Sequence, residues 1–298
     1  DTLLIANEKA YCDFGQFIGA TPDNSAQVSP IAQQSAGLKM YLDQTYGPLR
    51  LDNMQDWMEQ LKQWPQDWPV VAHAESRSMA AIILLAALID RPIHIAHVSL
   101  KEEIAIIKRA KENGLKVTCE VCPHHLFLSK ADIPSIGEGR SEVRPRLAAL
   151  SDQQALWQNI EVIDCIATDH APHTVAEKDS DNPMPGFPGL ETTLPLMLLA
   201  VFEGRLTVEQ LIEKMHTNPK RIFKLPEQQD TWIDVDFNDS WVIDPTVFHS
   251  RAGWSPFAGW QVKGRVRQVV LRGGVVFKDG QLLEGPGNGR DIRGLRAK

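Results

Sequence analysis

The feature that most constrains this chain is a rhythm running from residue 11 to residue 173: an apolar run of strand length, a polar loop, an amphipathic stretch, then the next apolar run. Residues 11–18, 37–42, 70–75, 93–98, 117–122 and the run opening at Ile163 read as strands. Residues 53–62, 79–89, 101–113 and 152–160 read as the helices among them, with Gly114 a natural helix stop. Such alternation folds into a parallel sheet covered by helices. A doubly wound sheet satisfies the rhythm. A (β/α)8 TIM-type barrel lacking its first two β/α units also accounts for a start at Asp1, just ahead of Leu3-Leu-Ile-Ala, which has the texture of a helix interior. The expectation is an α/β barrel chain excised from something longer.

After Gly189 two helical stretches, 190–203 and 208–216, end at Thr217-Asn-Pro219. Residues 231–237, 240–243 and 265–271 then alternate with period two, and 273–280 read as a hairpin. Residues 1–230 are therefore expected to form the partial barrel and 231–298 a small β module packed against it.

Charge removes whole classes of partner. The chain carries 38 acidic against 31 basic residues, a formal charge of −7 with no basic run, so the footprint of a nucleic-acid binder is absent. The longest apolar run, 79–89, is too short to span a bilayer, and no signal peptide opens the chain. A soluble cytoplasmic protein with a small-molecule or protein partner is expected. Cys12, Cys119, Cys122 and Cys165 lie in or beside apolar runs, which predicts reduced, buried thiols. Cys119 and Cys122 have metal-ligand spacing, but there is no second pair, and positions three apart on a strand face opposite ways. Packing is the better reading.

In parallel α/β folds, ligands and catalytic groups gather at the C-terminal strand ends. Here those ends carry Lys39, His73, His97, Glu120 with His124 and His125, then Asp169, His170 and His173. A lone histidine in an apolar strand is ordinarily a core residue with a satisfied ring nitrogen, and His94 is read so. His73 and His97 each lie near the end of their own strand in adjacent units, where two imidazoles can converge above one mouth. Two imidazoles and a carboxylate suit zinc. Asp169 reads as a metal ligand or base, or as a cap on the next turn. Lys39 is the odd member, because an ammonium beside zinc would be repelled. Burial and a neighbouring cation depress a lysine, and its neutral amine can then take up carbon dioxide as a two-oxygen carbamate. A snorkelling lysine at a strand edge is the competing reading.

Gly37-Leu-Lys-Met-Tyr-Leu, Val71-Ala-His-Ala-Glu, His94-Ile-Ala-His, Glu120-Val-Cys-Pro-His-His-Leu, Glu142-Val-Arg-Pro, Thr168-Asp-His-Ala-Pro-His and Pro185-Gly-Phe-Pro-Gly-Leu-Glu, in this order, resemble dihydroorotase of the amidohydrolase superfamily. The likeness is to the dihydroorotase domains of the multifunctional proteins of animal pyrimidine synthesis, and it runs from about Tyr11 to the C-terminus. It implies reversible cyclisation of N-carbamoyl-L-aspartate to L-dihydroorotate, with zinc activating the attacking water in the hydrolytic direction. It implies two zinc ions bridged by carboxylated Lys39, His73 and His97 on one of them, and Asp169 as ligand of the other and proton shuttle. Arg144 and His173 would hold the substrate carboxylate. Thr45 and Tyr46 would lie on a mobile loop, and Pro185 and Gly186 would contact the ring through their backbone. Glu120 matches an acidic residue beside an additional metal, although Ala96 stands where that site expects a cysteine. A homodimer, covalently linked to carbamoyl-phosphate synthetase and aspartate transcarbamoylase modules, is implied as well.

A dihydropyrimidinase- or allantoinase-type cyclic amidohydrolase would share Lys39, His73, His97 and Asp169, but Arg144 and His173 favour a substrate bearing a carboxylate. An inactive dihydroorotase-like scaffold is the alternative outside enzymes. The family's first strand carries His-x-His for the second zinc, and no His-x-His occurs in these 298 residues. The expectation is an incomplete chain whose N-terminal metal-binding part lies outside it.

Overall fold

Strands β1 (Phe17–Gly19), β2 (Gly37–Tyr41), β3 (Val70–His73), β4 (Ile93–Ile95), β5 (Val117–Val121) and β6 (Cys165–Ile166) form one parallel sheet in chain order in the computed structural model, which describes residues 2–293. A doubly wound sheet reverses its strand order at a switch point, and this sheet has no reversal among the described residues. Helix α1 (Thr2–Lys9) precedes the sheet. Helices α2 (Met54–Gln63), α3 (Ser76–Leu88), α4 (Lys101–Glu112) and α5 (Leu150–Gln158) lie on the connections from β2 to β6.

Alternation along each strand assigns the two faces. Leu38, Met40, Val70, Ala72, Ile93 and Ile95 join Met79, Ile82, Ile104 and Ile107 of the helices in the main core. Register puts Lys39, Tyr41, His73, His94 and Thr118 together on the opposite face, with Glu120 two residues beyond Thr118. The helix-facing side is oily, and the other side carries the chemistry.

Local signals place the helix ends. The Asn53 side chain accepts from the Asp56 amide at 3.0 Å and caps α2. At the other end, buried Arg91 donates to the carbonyls of Leu61 (2.9 Å), Trp64 (2.8 Å) and Pro65 (2.7 Å), covering acceptors that the last turn leaves free. That burial pushes its guanidinium down to about 10.

Several boundaries differ from expectation. The first strand is Phe17–Gly19 rather than 11–18, because Asp13 binds Arg272 and the Arg290 amide while Phe14 bridges Asp291, tying that stretch to the C-terminal end instead of the sheet. All four cysteines are free, but Cys12, on this surface stretch, is exposed, whereas Cys119, Cys122 and Cys165 are buried. After α6 (Leu190–Phe202) and α7 (Val208–Ile212), Thr217-Asn-Pro219 does not stop the helix. A π-helical turn, Glu213–Thr217, leads into α8 (Asn218–Ile222), where Pro219 sits in the first turn and its missing N–H has no partner to lose.

A second, antiparallel sheet is built from β7 (Trp232–Val242), β8 (Gln261–Leu271), β9 (Gly274–Lys278) and β10 (Gln281–Leu282), in the order β10-β9-β8-β7. Residues 231–237 and 240–243 belong to one strand, β7, with register shifts at Asp234/Val235 and between Asp236 and Ser240. It pairs with β8. Residues 273–280 are no hairpin of their own: β9 runs between two tight turns, Arg272-Gly273 and Asp279-Gly280, with both residues of each at positive φ, and β10 follows. A second core joins Ile243, Trp254, Phe257 and Val262 to Leu128, Val143, Phe187 and Leu196, so this part buttresses the loops beyond the parallel strands. No helix among the described residues is long and apolar enough to cross a membrane.

Candidate active site

A cavity of about 270 Å³ opens at the C-terminal end of the parallel sheet, and its lining includes Lys39, His73, His97, Arg144 and Asp169. Residues from four strand–loop units and the 142–146 segment, spread over more than a hundred positions of sequence, meet there. Thr45 and Tyr46 of the loop after β2, and Pro185 and Gly186 from beyond β6, complete the wall.

The histidine pair is the tightest feature. His73 Nδ1 lies 2.7 Å from His97 Nε2, with ring centroids 4.5 Å apart. Glu75 Oε1 is 3.3 Å from His73 Nε2 but lacks hydrogen-bond geometry, so His73 Nε2 and His97 Nδ1 are both buried without a hydrogen-bond partner. Burial, then the neighbouring His73 and Lys39, holds His97 well below the ordinary histidine range. Burial likewise lowers Lys39, against the opposing pull of Glu120 and Asp169. His97 (φ 37°) and Asp169 (φ 43°) both adopt the left-handed conformation, uncommon for residues with a Cβ. Such strain concentrates at functional sites.

The loops behind the pair are clamped by acids. The buried Glu103 carboxylate accepts from the amides of Ser76 (2.8 Å), Ser99 (3.1 Å) and Leu100 (3.1 Å), joining the loops that follow β3 and β4. Asp43 accepts from the Glu75 amide at 2.7 Å and ties in the loop after β2.

Other expected residues fall elsewhere. His94 has both ring nitrogens engaged, Nδ1 with Thr118 Oγ1 at 2.8 Å and Nε2 with Glu120 Oε2 at 3.1 Å, as the core reading requires. Glu120 is held by that contact and does not line the cavity. Burial raises its carboxyl, but the His94 hydrogen bond and charge, with Lys39, outweigh that and leave it lowered. His124 and His125 are buried with ring centroids 4.4 Å apart and planes tilted by 58°, and neither Nε2 is bonded. His170 accepts the Gly189 (3.1 Å) and Leu190 (3.2 Å) amides and so caps α6. His173 stands outside the lining, and its carbonyl accepts from Trp254 Nε1 at 2.8 Å. Tyr41, Leu49 and Ala171 line the cavity without having been singled out. Tyr41 was legible, since it lies two residues beyond Lys39 on the same strand face and pairs with His73.

Among the described residues, no three His, Cys, Asp or Glu side chains gather closely enough to hold a metal by themselves.

Side chains converging at the C-terminal strand ends of a parallel sheet place the chain among α/β proteins that build their site at that edge. An L-hydantoinase (dihydropyrimidinase) from Arthrobacter aurescens has the same fold, with a TM-score of 0.90 at 23% identity over 98% of this chain and 76% of that one. No family model matches the chain. The multifunctional protein CAD of Squalus acanthias is 52% identical over 289 residues, 97% of this chain and 13% of that protein. The dihydroorotase of Pyrococcus furiosus is 34% identical over 79% of this chain and 56% of its own length. The inactive dihydroorotase-like domain of a CAD-like multifunctional protein from Chaetomium thermophilum superposes with a TM-score of 0.80 at 32% identity, covering 95% of this chain and 80% of that domain. The chain belongs to the dihydroorotase family.

Proposed function

We propose that this chain supplies the catalytic part of a dihydroorotase, which interconverts N-carbamoyl-L-aspartate and L-dihydroorotate in pyrimidine synthesis. The observation that carries the reading is the meeting of Lys39, His73, His97 and Asp169 with Arg144 around one cavity. The first four suit a cyclic amide, and the arginine suits a carboxylate beside it. In-order strand pairing supports reading the sheet as an arc of a (β/α)8 barrel, six strands of eight. That the chain matches a stretch making up 13% of a multifunctional relative supports covalent linkage to carbamoyl-phosphate synthetase and aspartate transcarbamoylase modules.

The residues fit zinc. Two buried imidazoles turn a nitrogen toward one another, His73 Nδ1 and His97 Nε2, and a depressed lysine able to become a carbamate lies at the same cavity. Lys39, His73 and His97 would hold one ion, and Asp169 with Lys39 would contribute to a second. An ion held there would supply Lewis acidity, lowering the pKa of water and polarising the ring carbonyl. In the hydrolytic direction the Asp169 carboxylate takes the proton released as water attacks and returns it to the departing ring nitrogen. Arg144, held by Glu142 Oε2 at 2.8 Å, aims its guanidinium at the carboxylate. Pro185 and Gly186 present backbone to the ring, and the Thr45–Tyr46 loop limits water above it. His173, set back from the wall, is assigned no contact.

Removing a charge-assisted grip costs roughly 1.5–3 kcal/mol. Arg144→Ala should therefore raise KM for dihydroorotate about 10- to 100-fold, with kcat within a few-fold of wild type. Steady-state kinetics checks this, and a neutral dihydropyrimidine turned over as well as dihydroorotate would overturn the carboxylate assignment. The function itself is tested by zinc content and dihydroorotate hydrolysis, measured on this chain and on the longer multifunctional protein. Turnover in the longer protein supports the reading. Zinc without turnover there would make the chain a scaffold.

A further inference from the structure

Lys178 looks in sequence like a surface residue, in Val175-Ala-Glu-Lys-Asp, yet its exposure is 0%. Its ammonium faces three carbonyls rather than a carboxylate: Glu142 O at 2.7 Å, Met184 O at 2.7 Å and Gly186 O at 3.2 Å. The rings of Phe187 and Trp254 lie 5.7 and 5.6 Å from Nζ and close the site. Three donors meet three acceptors, which is the full capacity of an ammonium.

The acceptors matter because of what each segment presents to the cavity. The Glu142 carbonyl also accepts the Gly186 amide at 2.9 Å, while the Glu142 side chain holds Arg144. Met184 and Gly186 bracket Pro185, and Pro185, Gly186 and Arg144 all line the cavity. The backbone around Lys178 is seated on the same loop. Arg140 makes a two-pronged ion pair with Asp179, at 2.8 and 2.6 Å, and a Cβ added to Gly139 would fall 2.3 Å from the Lys178 carbonyl oxygen.

We propose that Lys178 is a positioning residue: from behind the wall it fixes the distance between the arginine that grips the substrate carboxylate and the Pro185–Gly186 backbone that meets the ring. This rests on the dihydroorotase reading for the identity of the substrate, but not for the tie itself. Burial lowers the ammonium to about 8, with the Glu142 charge opposing. A loosened wall weakens ground-state and transition-state binding alike, so the loss appears in KM.

The test uses the longer multifunctional protein carrying Lys178→Met, Arg144→Ala or both. Lys178→Met should raise KM for dihydroorotate about tenfold and leave kcat within about threefold. In the Arg144→Ala background it should add no more than about threefold, because the two act through one grip. Hydrogen exchange at the Gly186 amide should quicken at least about tenfold in Lys178→Met. A KM within twofold of wild type, full multiplicativity of the two effects, or unchanged Gly186 exchange would overturn the proposal. If Lys178→Met does not fold, Lys178→Gln is measured by the same criteria. A wild-type protein that does not hydrolyse dihydroorotate refutes the functional reading alone, and Lys178 is then judged on Gly186 exchange.

Discussion

Asp169→Ala should reduce dihydroorotate turnover by about 10³-fold or more, because one substitution removes a proton carrier, worth roughly 10²- to 10⁴-fold, together with a metal-ligand carboxylate. Asp169 also occupies the left-handed region, at φ 43°, which alanine tolerates less well than aspartate or asparagine. Asp169→Asn separates the chemistry from the backbone strain, since it keeps the shape and the local backbone preference but supplies no carboxylate to carry the proton. Both variants should fold, by circular dichroism and thermal melting, and both should be inactive. Near-normal turnover in Asp169→Ala would remove Asp169 from the chemistry and with it the proposed mechanism.

Gly186→Ala should be the most damaging change in the substrate wall. At φ +138° a Cβ is strained, and it would stand 2.4 Å from the Ala171 Cβ and 2.8 Å from the Ala171 carbonyl oxygen. Ala171 itself lines the cavity, so the clash cannot be relieved without moving the wall on one side or the other. A rise in KM of about 100-fold is expected, with a stability loss of about 2 kcal/mol from backbone strain and overpacking. Kinetics and denaturant melts of the one variant read both. Wild-type KM together with wild-type stability would mean that Gly186 and Ala171 do not approach as described.

Much of the site was legible because alternation in a strand is a local property. Lys39, His73 and His97 could be placed at strand ends from the apolar runs around them, and the structure brings them to one cavity. The same logic kept His94 in the core, where Thr118 and Glu120 occupy its nitrogens. The logic was weaker where the partner is remote. Residues 11–18 have the composition of a strand, but Asp13 is drawn to Arg272 and the Arg290 amide, more than 250 positions away. His170 and His173 carry the same side chain three residues apart, yet one ends as a helix cap and the other outside the cavity.

Pattern and composition alone determined the parallel α/β architecture, its apolar helix-facing side, the polar face opposite, and the ring types and charges available at the strand ends. These follow from backbone periodicity and the transfer energies of side chains, which act over a few residues. Only tertiary structure decided that His97 and Asp169 turn left-handed into the cavity, that Glu103 clamps two loops, and that Lys178 is buried beneath three carbonyls. Each depends on groups far apart in the chain whose polar atoms must find partners once water is excluded, and no local pattern encodes which partner that will be.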